Sequence, residues 1–276
     1  SVGFFGRPEA VPVLAAAHYG GAMLLGFIGR WRRDPEHAAS HVDAMSPLPP
    51  EGRLKAAFAA MHEARLNDGR PFGILLQQAL QSSLALMVIV GGLVVFFSAT
   101  LDLLVQSGML RLFQDSASWV LAVVSMPPGL STSFVQGLFE VTLGSRAAAQ
   151  AVHGADPLPL IDRLAAAAFV LSWAGLSVHA QVAGLMSRTG WRYAPFARTR
   201  LLHGIAAAAI VYLIAPLFPA VSAATFQTST MRAFDVPAID RIFWPPLAAV
   251  AALALLIAAG TSARMLQMFL RRFRNK

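Results

Sequence analysis

The chain has 276 residues, of which 56% are hydrophobic and only 13% are charged, and it contains no cysteine. Soluble domains carry roughly 25% charged residues, so this composition excludes an ordinary soluble protein and predicts an integral membrane protein. The missing cysteine excludes disulfides, thiolate zinc sites and cysteine catalysis. The net charge of +8 comes from Arg and Lys clusters just beyond apolar segments, a distribution that argues against nucleic-acid binding.

The first apolar segment, residues 11–28, is long enough to cross a membrane and ends at a basic cluster. Residues 30–72 are rich in proline and charge, which predicts a cytoplasmic linker. Within it, residues 51–66 predict a short amphipathic helix with Leu54, Phe58 and Met61 on one face. That helix either lies on the membrane surface or is an ordinary solvated helix.

A long helical pattern over residues 72–105 predicts a tilted span, because it exceeds the length of one upright crossing. The next two segments, 117–125 and 130–146, are each too short to span alone. Pro127-Pro128-Gly129 between them predicts a turn. We therefore expect a re-entrant helical hairpin that enters and leaves the bilayer on one side.

The remaining apolar segments are residues 160–186, 201–221 and 242–261. The first of them has polar residues and Gly175 at its centre, which predicts an interrupted helix. Basic residues number 16 of the total 22 in the three segments 30–72, 188–200 and 264–276. All three lie on one side only if the hairpin crosses an even number of times, which predicts five spans and a cytoplasmic C-terminus. The fold class is therefore an all-α integral membrane protein, a polytopic helical bundle with a re-entrant hairpin and an interrupted helix, forming a single membrane transport domain.

Glu140 is the only acidic residue between Asp115 and Asp156, and it lies among glycines, prolines and hydroxyl residues in apolar surroundings. An ionisable group at membrane depth costs at least ~2.5–3.5 kcal/mol, and a broken backbone there is tolerated mainly where it lines a site. We expect a substrate site from Glu140 and Thr142, together with the hydroxyl residues Ser131, Thr132 and Ser133. The alternative is that Glu140 pairs with Arg146 or Arg111 and only holds the hairpin together.

A second group of candidate residues lies in the interrupted helix, at Ser177, His179 and Gln181. His179 is a proton-responsive group near neutral pH, and the alternative is a hydrogen-bonded packing residue. The spacing predicts no metal site, because no second histidine or carboxylate stands at ligand distance along the chain. His18 is interpreted as a packing residue. No catalytic pair is visible, so the chain is not expected to be an enzyme.

Three stretches carry a resemblance to a known family: Gly137-Leu138-Phe139-Glu140-Val141-Thr142-Leu143-Gly144, Gly175-Leu176-Ser177-Val178-His179-Ala180-Gln181-Val182, and Arg198-x-Arg200-Leu201-Leu202-His203. They resemble the YlbJ (SpoVV) sporulation integral membrane proteins. The resemblance implies a nucleoside-recognition Gate domain, similarity to concentrative nucleoside transporters, and passage of dipicolinic acid across a membrane around the forespore. Family members are longer, so the chain is expected to be a C-terminal part.

We therefore expect a multi-pass transporter, in the cell membrane or the membrane around the forespore, that moves a small organic anion by alternating access. Coupling to Na⁺ or H⁺ is open, and no other cofactor is expected. The expected partners are the small-molecule substrate and the lipid bilayer, and a homo-oligomer is left open. The alternatives are an ion-coupled nucleoside transporter and a membrane scaffold or assembly protein that does not transport.

Overall fold

The computed structural model of the chain describes residues 2–30, 52–187 and 189–221. Four helical segments of this part are long and apolar enough to cross a membrane: Ala10–Gly29, Phe72–Gln106, Leu160–Met186 and Tyr193–Leu217. They confirm an all-α polytopic membrane fold and agree with four of the predicted spans. The fifth span, over 242–261, lies outside the described residues, as do the basic segment 264–276 and residues 31–51 of the predicted linker.

The helices in chain order are α1 (Val2–Phe5), α2 (Ala10–Arg30), α3 (Arg53–Asp68), α4 (Phe72–Gln106), α5 (Met109–Val123), α6 (Ser131–Phe139), α7 (Val141–Ala149), α8 (Leu160–Trp173), α9 (Gly175–Met186) and α10 (Tyr193–Ile214). Short 3₁₀ turns precede α6, at Pro128–Leu130, and follow α10, at Ala215–Leu217. Two antiparallel strands of two residues each, β1 (Val152–His153) and β2 (Asp156–Pro157), join α7 to α8.

The chain divides into two compact units, and the smaller one runs from Gly26 to Gly91. Within it, α3 ends at Gly69, which adopts the left-handed conformation that commonly closes helices. Arg70 then donates hydrogen bonds to the Asp68 carboxylate and to the side-chain oxygen of Gln78. The bond from Arg70 holds the pKa of Asp68 below its usual value. The predicted short helix is thus present, and its apolar side chains Leu54, Phe58 and Met61 are exposed.

The larger unit is built on close contact between α8 and α10. Both helices carry four consecutive buried alanines, at 165–168 and at 206–209. Small side chains let helices in a membrane approach closely and gain dispersion contacts. Gly204 of α10 shows how tight this contact is, because a Cβ there would lie 2.9 Å from Cδ2 of Phe169. Val13, Leu14 and Ala17 of α2 belong to the same buried cluster.

The segment predicted as one helix over 130–146 is instead two helices folded back on each other. α6 and α7 pack antiparallel, with the reversal at Glu140, whose backbone is extended (φ −143°, ψ 127°). A Cβ on Gly144 would lie only 2.3 Å from the Cα of Gly137, so the two glycines allow the arms to touch. Each arm has nine residues, about 13.5 Å, which is less than half of a ~30 Å hydrocarbon core.

A helical hairpin is therefore present, but its turn lies at Glu140 and not at the predicted Pro127-Pro128-Gly129. Pro127-Pro128-Gly129 does end a helical segment and leads through a 3₁₀ turn into α6. The chain instead reverses at Phe139–Glu140–Val141, which we call the hairpin tip. At the opposite end of the hairpin, Gly129 lies against Val152. An ideal Cβ on Gly129 would lie 2.6 Å from the carbonyl oxygen of Val152. The two ends of the hairpin thus lie together.

The last described span also begins earlier than predicted. The predicted span starts at residue 201 and leaves Arg198 and Arg200 in the basic segment 188–200, but α10 starts at Tyr193 and includes both. Hydropathy marks where apolar sequence begins, whereas a helix forms its backbone hydrogen bonds through polar turns equally well. Pro195 does not prevent this start, because proline is tolerated in the first turn of a helix.

Candidate functional site

Glu140 is buried at the hairpin tip, with 1% of its surface exposed. Its Oε2 accepts hydrogen bonds from the backbone N–H of Leu143 (2.8 Å) and from the hydroxyl of Thr142. The carboxylate therefore caps the N-terminus of α7, where negative charge is favoured by the helix dipole. Neither ion pair recorded among the described residues includes Glu140, and Arg146 lies over the ring of Phe4. The alternative in which Glu140 pairs with Arg146 or Arg111 is not what the structure shows.

The predicted interrupted helix breaks at Ala174 and Gly175, which we call the helix break. Both residues have positive φ, 76° and 73°, and α9 begins at the second of them. A left-handed conformation at a residue other than glycine costs about 1–3 kcal/mol, so Ala174 is held there by its surroundings. The break has no side-chain cap at the start of α9. Its backbone N–H groups are therefore open to another partner.

The hairpin tip and the helix break meet. An ideal Cβ on Gly175 would lie 3.0 Å from the carbonyl oxygen of Phe139 and 3.2 Å from the Cα and N of Glu140. Beside this contact, the indole N–H of Trp173 donates to the carbonyl oxygen of Leu138 (3.4 Å). Two discontinuities in the helical backbone, 35 residues apart in sequence, thus share one place in the fold.

His179 is buried on α9 and uses both ring nitrogens. Nε2 lies 3.0 Å from the carbonyl oxygen of Trp173, and Nδ1 lies 3.0 Å from the hydroxyl of Tyr193. Because a carbonyl oxygen can only accept, Nε2 carries the proton, and in the neutral ring Nδ1 accepts from Tyr193. The ring N–H of His179 therefore satisfies the carbonyl oxygen of Trp173, the last residue of α8, across the break. This is the packing alternative that the sequence left open, and it also fixes the geometry of the site.

Ser177 fits a binding role more directly. Its hydroxyl lies in the first turn of α9, is 1% exposed, and has no hydrogen-bond partner among the described residues. The hydroxyl of Ser145 on α7, which sequence reasoning missed, is also buried without a hydrogen-bond partner among the described residues. A buried polar group without a partner costs about 1–3 kcal/mol, so such groups mark places where a ligand or water supplies the missing bond.

The other predicted residues are not all brought to this junction. Ser131 and Thr132 begin α6, nine and eight residues from Glu140, which is roughly 12–14 Å along a helix. Thr132 accepts from Gln114 (3.0 Å) and lines a separate polar cleft of about 280 Å³ at the base of the hairpin. Ser133 donates to the carbonyl oxygen of Gly144 (2.9 Å), which ties the two arms together. Gln181 is half-buried further along α9.

His18 and His203 form a histidine pair near the end of α8. Nδ1 of His18 lies 2.9 Å from the hydroxyl of Ser172, which is one residue before Trp173. Nε2 of His203 donates to the backbone carbonyl of His18 (2.8 Å), and the two rings are 4.8 Å apart. Gly21 allows this approach, since a Cβ there would lie 3.1 Å from Cδ2 of His203. The available sequence signal was a histidine inside an apolar span, which usually faces the interior of a bundle.

Comparison with known proteins supports the motif resemblance. The chain is 34% identical over 226 residues to the sporulation integral membrane protein YlbJ of Bacillus subtilis (strain 168). The matched region belongs to the YlbJ family. It covers 80% of this chain and 52% of YlbJ, so the chain spans about half the length of that relative. No family model matches the chain, and no solved structure matches it. The Gate-domain assignment stays a prediction.

Proposed function

We propose that this chain forms part of a membrane transporter for a small organic anion, dipicolinic acid during endospore formation, which works by alternating access. The observation that carries the proposal is the contact between Gly175 and the backbone of Glu140, where the hairpin tip meets the helix break. Non-helical backbone at membrane depth is tolerated only where protein shields it or where it lines a cavity. Transporters use such broken helices to bind substrate and coupling ions.

The helix ends at this junction carry partial charges of both signs. α7 and α9 start here, and helix starts attract anions; α6 and α8 end here, and helix ends attract cations. The start of α7 is already occupied by the Glu140 carboxylate, whereas the start of α9 carries no side-chain cap and has the hydroxyl of Ser177 beside it. We therefore assign an anionic group of the substrate to the start of α9.

The negative charge of Glu140 must be neutralised or turned away when a dianion binds. An ionised carboxylate opposes a second one by a few kcal/mol at close range in a partly buried site. Both recorded contacts of Glu140 fall on Oε2, which leaves Oε1 to take a proton or a sodium ion. The proposal therefore couples uptake to one of these cations, and dianion binding strengthens either as pH falls from 8 to 6 or as sodium is added.

Dipicolinic acid is favoured as the substrate by the family relationship, because YlbJ is named as a sporulation integral membrane protein. The test is uptake of radiolabelled dipicolinate and of uridine by proteoliposomes that contain the full-length protein. Uptake of dipicolinate above that of empty liposomes supports the proposal. Uptake of uridine alone assigns the protein to nucleoside transport, and uptake of neither favours a scaffold.

A further inference from the structure

One face of α10 carries a row of chemically active side chains. Tyr193, Phe196, Arg200 and His203 are spaced by three, four and three residues, which places them on the same side of a helix. Tyr193 and Phe196 contact His179, with the rings of Phe196 and His179 5.0 Å apart. His203, at the other end of the row, contacts His18. Arg200 therefore lies between two groups that both attach to the end of α8.

Arg200 has no anionic partner in the described part of the chain. Its Nε is buried without a hydrogen-bond partner, and none of the recorded hydrogen bonds or ion pairs there includes its guanidinium. A partly desolvated guanidinium without a counter-charge is costly, and its planar fork of donors matches a carboxylate in a bidentate arrangement.

Flat aromatic side chains cluster at the start of the same helix, around Tyr193 and Phe196. The ring of His179 lies 4.2 Å from Trp173, and the ring of Trp191 lies 5.3 Å from Phe196. Tyr193 completes the group and is 44% exposed, while Trp191 is half-buried. Such surfaces stack well on planar rings and bind them at low cost in side-chain entropy. The combination of a lone guanidinium and an aromatic cluster selects a ligand that is both anionic and flat.

We propose that Arg200 and the aromatic cluster of Trp173, Trp191, Tyr193 and Phe196 form a binding site for an aromatic carboxylate. The carboxylate pairs with the Arg200 guanidinium, and the ligand ring packs on the aromatic side chains. The inference rests on the proposed transport function and names the residue that selects the charge of its substrate. It also explains why a basic residue lies seven positions inside a membrane-length helix rather than at its start.

The first experiment measures equilibrium binding of pyridine-2,6-dicarboxylate to the full-length protein in detergent. Arg200→Gln is expected to weaken binding about 10-fold or more, because a charge-assisted pair is lost. Arg200→Lys keeps the charge but loses the bidentate fork, so its affinity is expected to lie between those of the unchanged protein and Arg200→Gln. Arg198→Gln is the matched control: Arg198 is exposed on the same helix, and its loss is expected to leave affinity within about two-fold, the scale of screened surface charges. Equal loss in both glutamine variants overturns the proposal, as does unchanged affinity in Arg200→Gln.

A second measurement does not require the glutamine variant to fold. Binding of the pyridine ring is expected to quench tryptophan fluorescence in the otherwise unchanged protein, and Trp191→Phe is expected to reduce the quenching. Quenching that is identical in Trp191→Phe and Trp119→Phe, whose indole is exposed on α5, contradicts the aromatic site. A protein that binds no dicarboxylate but loses a co-purified anionic lipid in Arg200→Lys assigns the guanidinium to a headgroup and overturns the proposal.

The Arg200 site and the transport function can be contradicted independently of each other. Binding that depends on Arg200 without any uptake by proteoliposomes upholds the site and contradicts the transport function. Uptake of dipicolinate that is unchanged in Arg200→Gln upholds transport and contradicts the site.

Discussion

Gly175, at the break between α8 and α9, lies directly against the backbone of Glu140 at the hairpin tip. The contact leaves little room for a side chain, since an ideal Cβ on Gly175 would be 3.0 Å from the carbonyl oxygen of Phe139. It joins the two places where helical hydrogen bonding stops, and so it gathers helix ends of both polarities around one point. Movement of the hairpin relative to α8 and α9 would open and close this point, which is the kind of change that alternating access requires.

Gly175→Ala is expected to destabilise the protein by about 1–3 kcal/mol, because the methyl group meets backbone atoms and the residue has φ +73°. The measurement is thermal unfolding of the purified protein in detergent. Gly184→Ala is the control on the same helix, since a Cβ there meets nothing within 4 Å. Alanine is favoured over glycine in a helix, so the control is expected to keep or slightly raise stability. Equal stability of the two variants would show that the contact at Gly175 is not formed.

Gly144→Ala is expected to force the hairpin arms apart, because its methyl group would lie 2.3 Å from the Cα of Gly137. Spin labels at Gln136 and Ala147, one on each arm, report the separation. The distance between them is expected to lengthen in Gly144→Ala and to stay unchanged in Gly91→Ala, where a Cβ meets open space. An unchanged distance in Gly144→Ala contradicts the antiparallel packing of α6 and α7.

The four predicted spans that fall on described residues were found, because a membrane selects for length and hydropathy, which are local properties. The sequence also predicted that Glu140 and the centre of 160–186 were special, since polar and breaking residues are costly there. It misplaced the hairpin turn because Pro127-Pro128-Gly129 is the stronger local signal. The real reversal depends on two glycines seven residues apart and on a glutamate cap, and these act only once the arms are in contact.

Arg200 was missed for a related reason. The positive-inside pattern assigns basic residues to loops, and Arg200 was counted with them. Only the start of α10 at Tyr193 shows that Arg200 shares a helix face with His203. The partner of His18 could not be predicted either, because Ser172 is 154 residues away in sequence. Contacts of this kind come from tertiary packing, which no local pattern in one sequence contains.

His179→Ala is expected to destabilise the fold by about 2–4 kcal/mol, since it removes a buried ring and leaves the carbonyl of Trp173 without its bond. Tyr193→Phe removes only the hydroxyl that contacts Nδ1 and is expected to cost about 1 kcal/mol. Both values come from chemical unfolding of the detergent-solubilised protein. If His179→Ala keeps full stability but loses transport, the ring serves the substrate rather than the helix break.

Single cysteines at Ser107 and Gly154 are expected to react with an impermeant maleimide from the same side of the membrane, because five spans require an even number of crossings between them. Both residues are exposed in turns, and these 276 residues contain no cysteine that would react in the background. Labelling from opposite sides would rule out the five-span arrangement and with it the cytoplasmic C-terminus.

The most direct test of the junction as a transport site is uptake of dipicolinate by proteoliposomes of the full-length protein with Glu140→Gln. The amide oxygen of glutamine can still accept from the N–H of Leu143, so the cap on α7 and the fold are expected to persist. What the variant loses is the charge that takes up a proton or sodium. We predict near-normal thermal stability together with uptake reduced at least 10-fold and no longer responsive to sodium or pH. Uptake at the rate of the unchanged protein, per folded molecule, would contradict a role for Glu140 in transport.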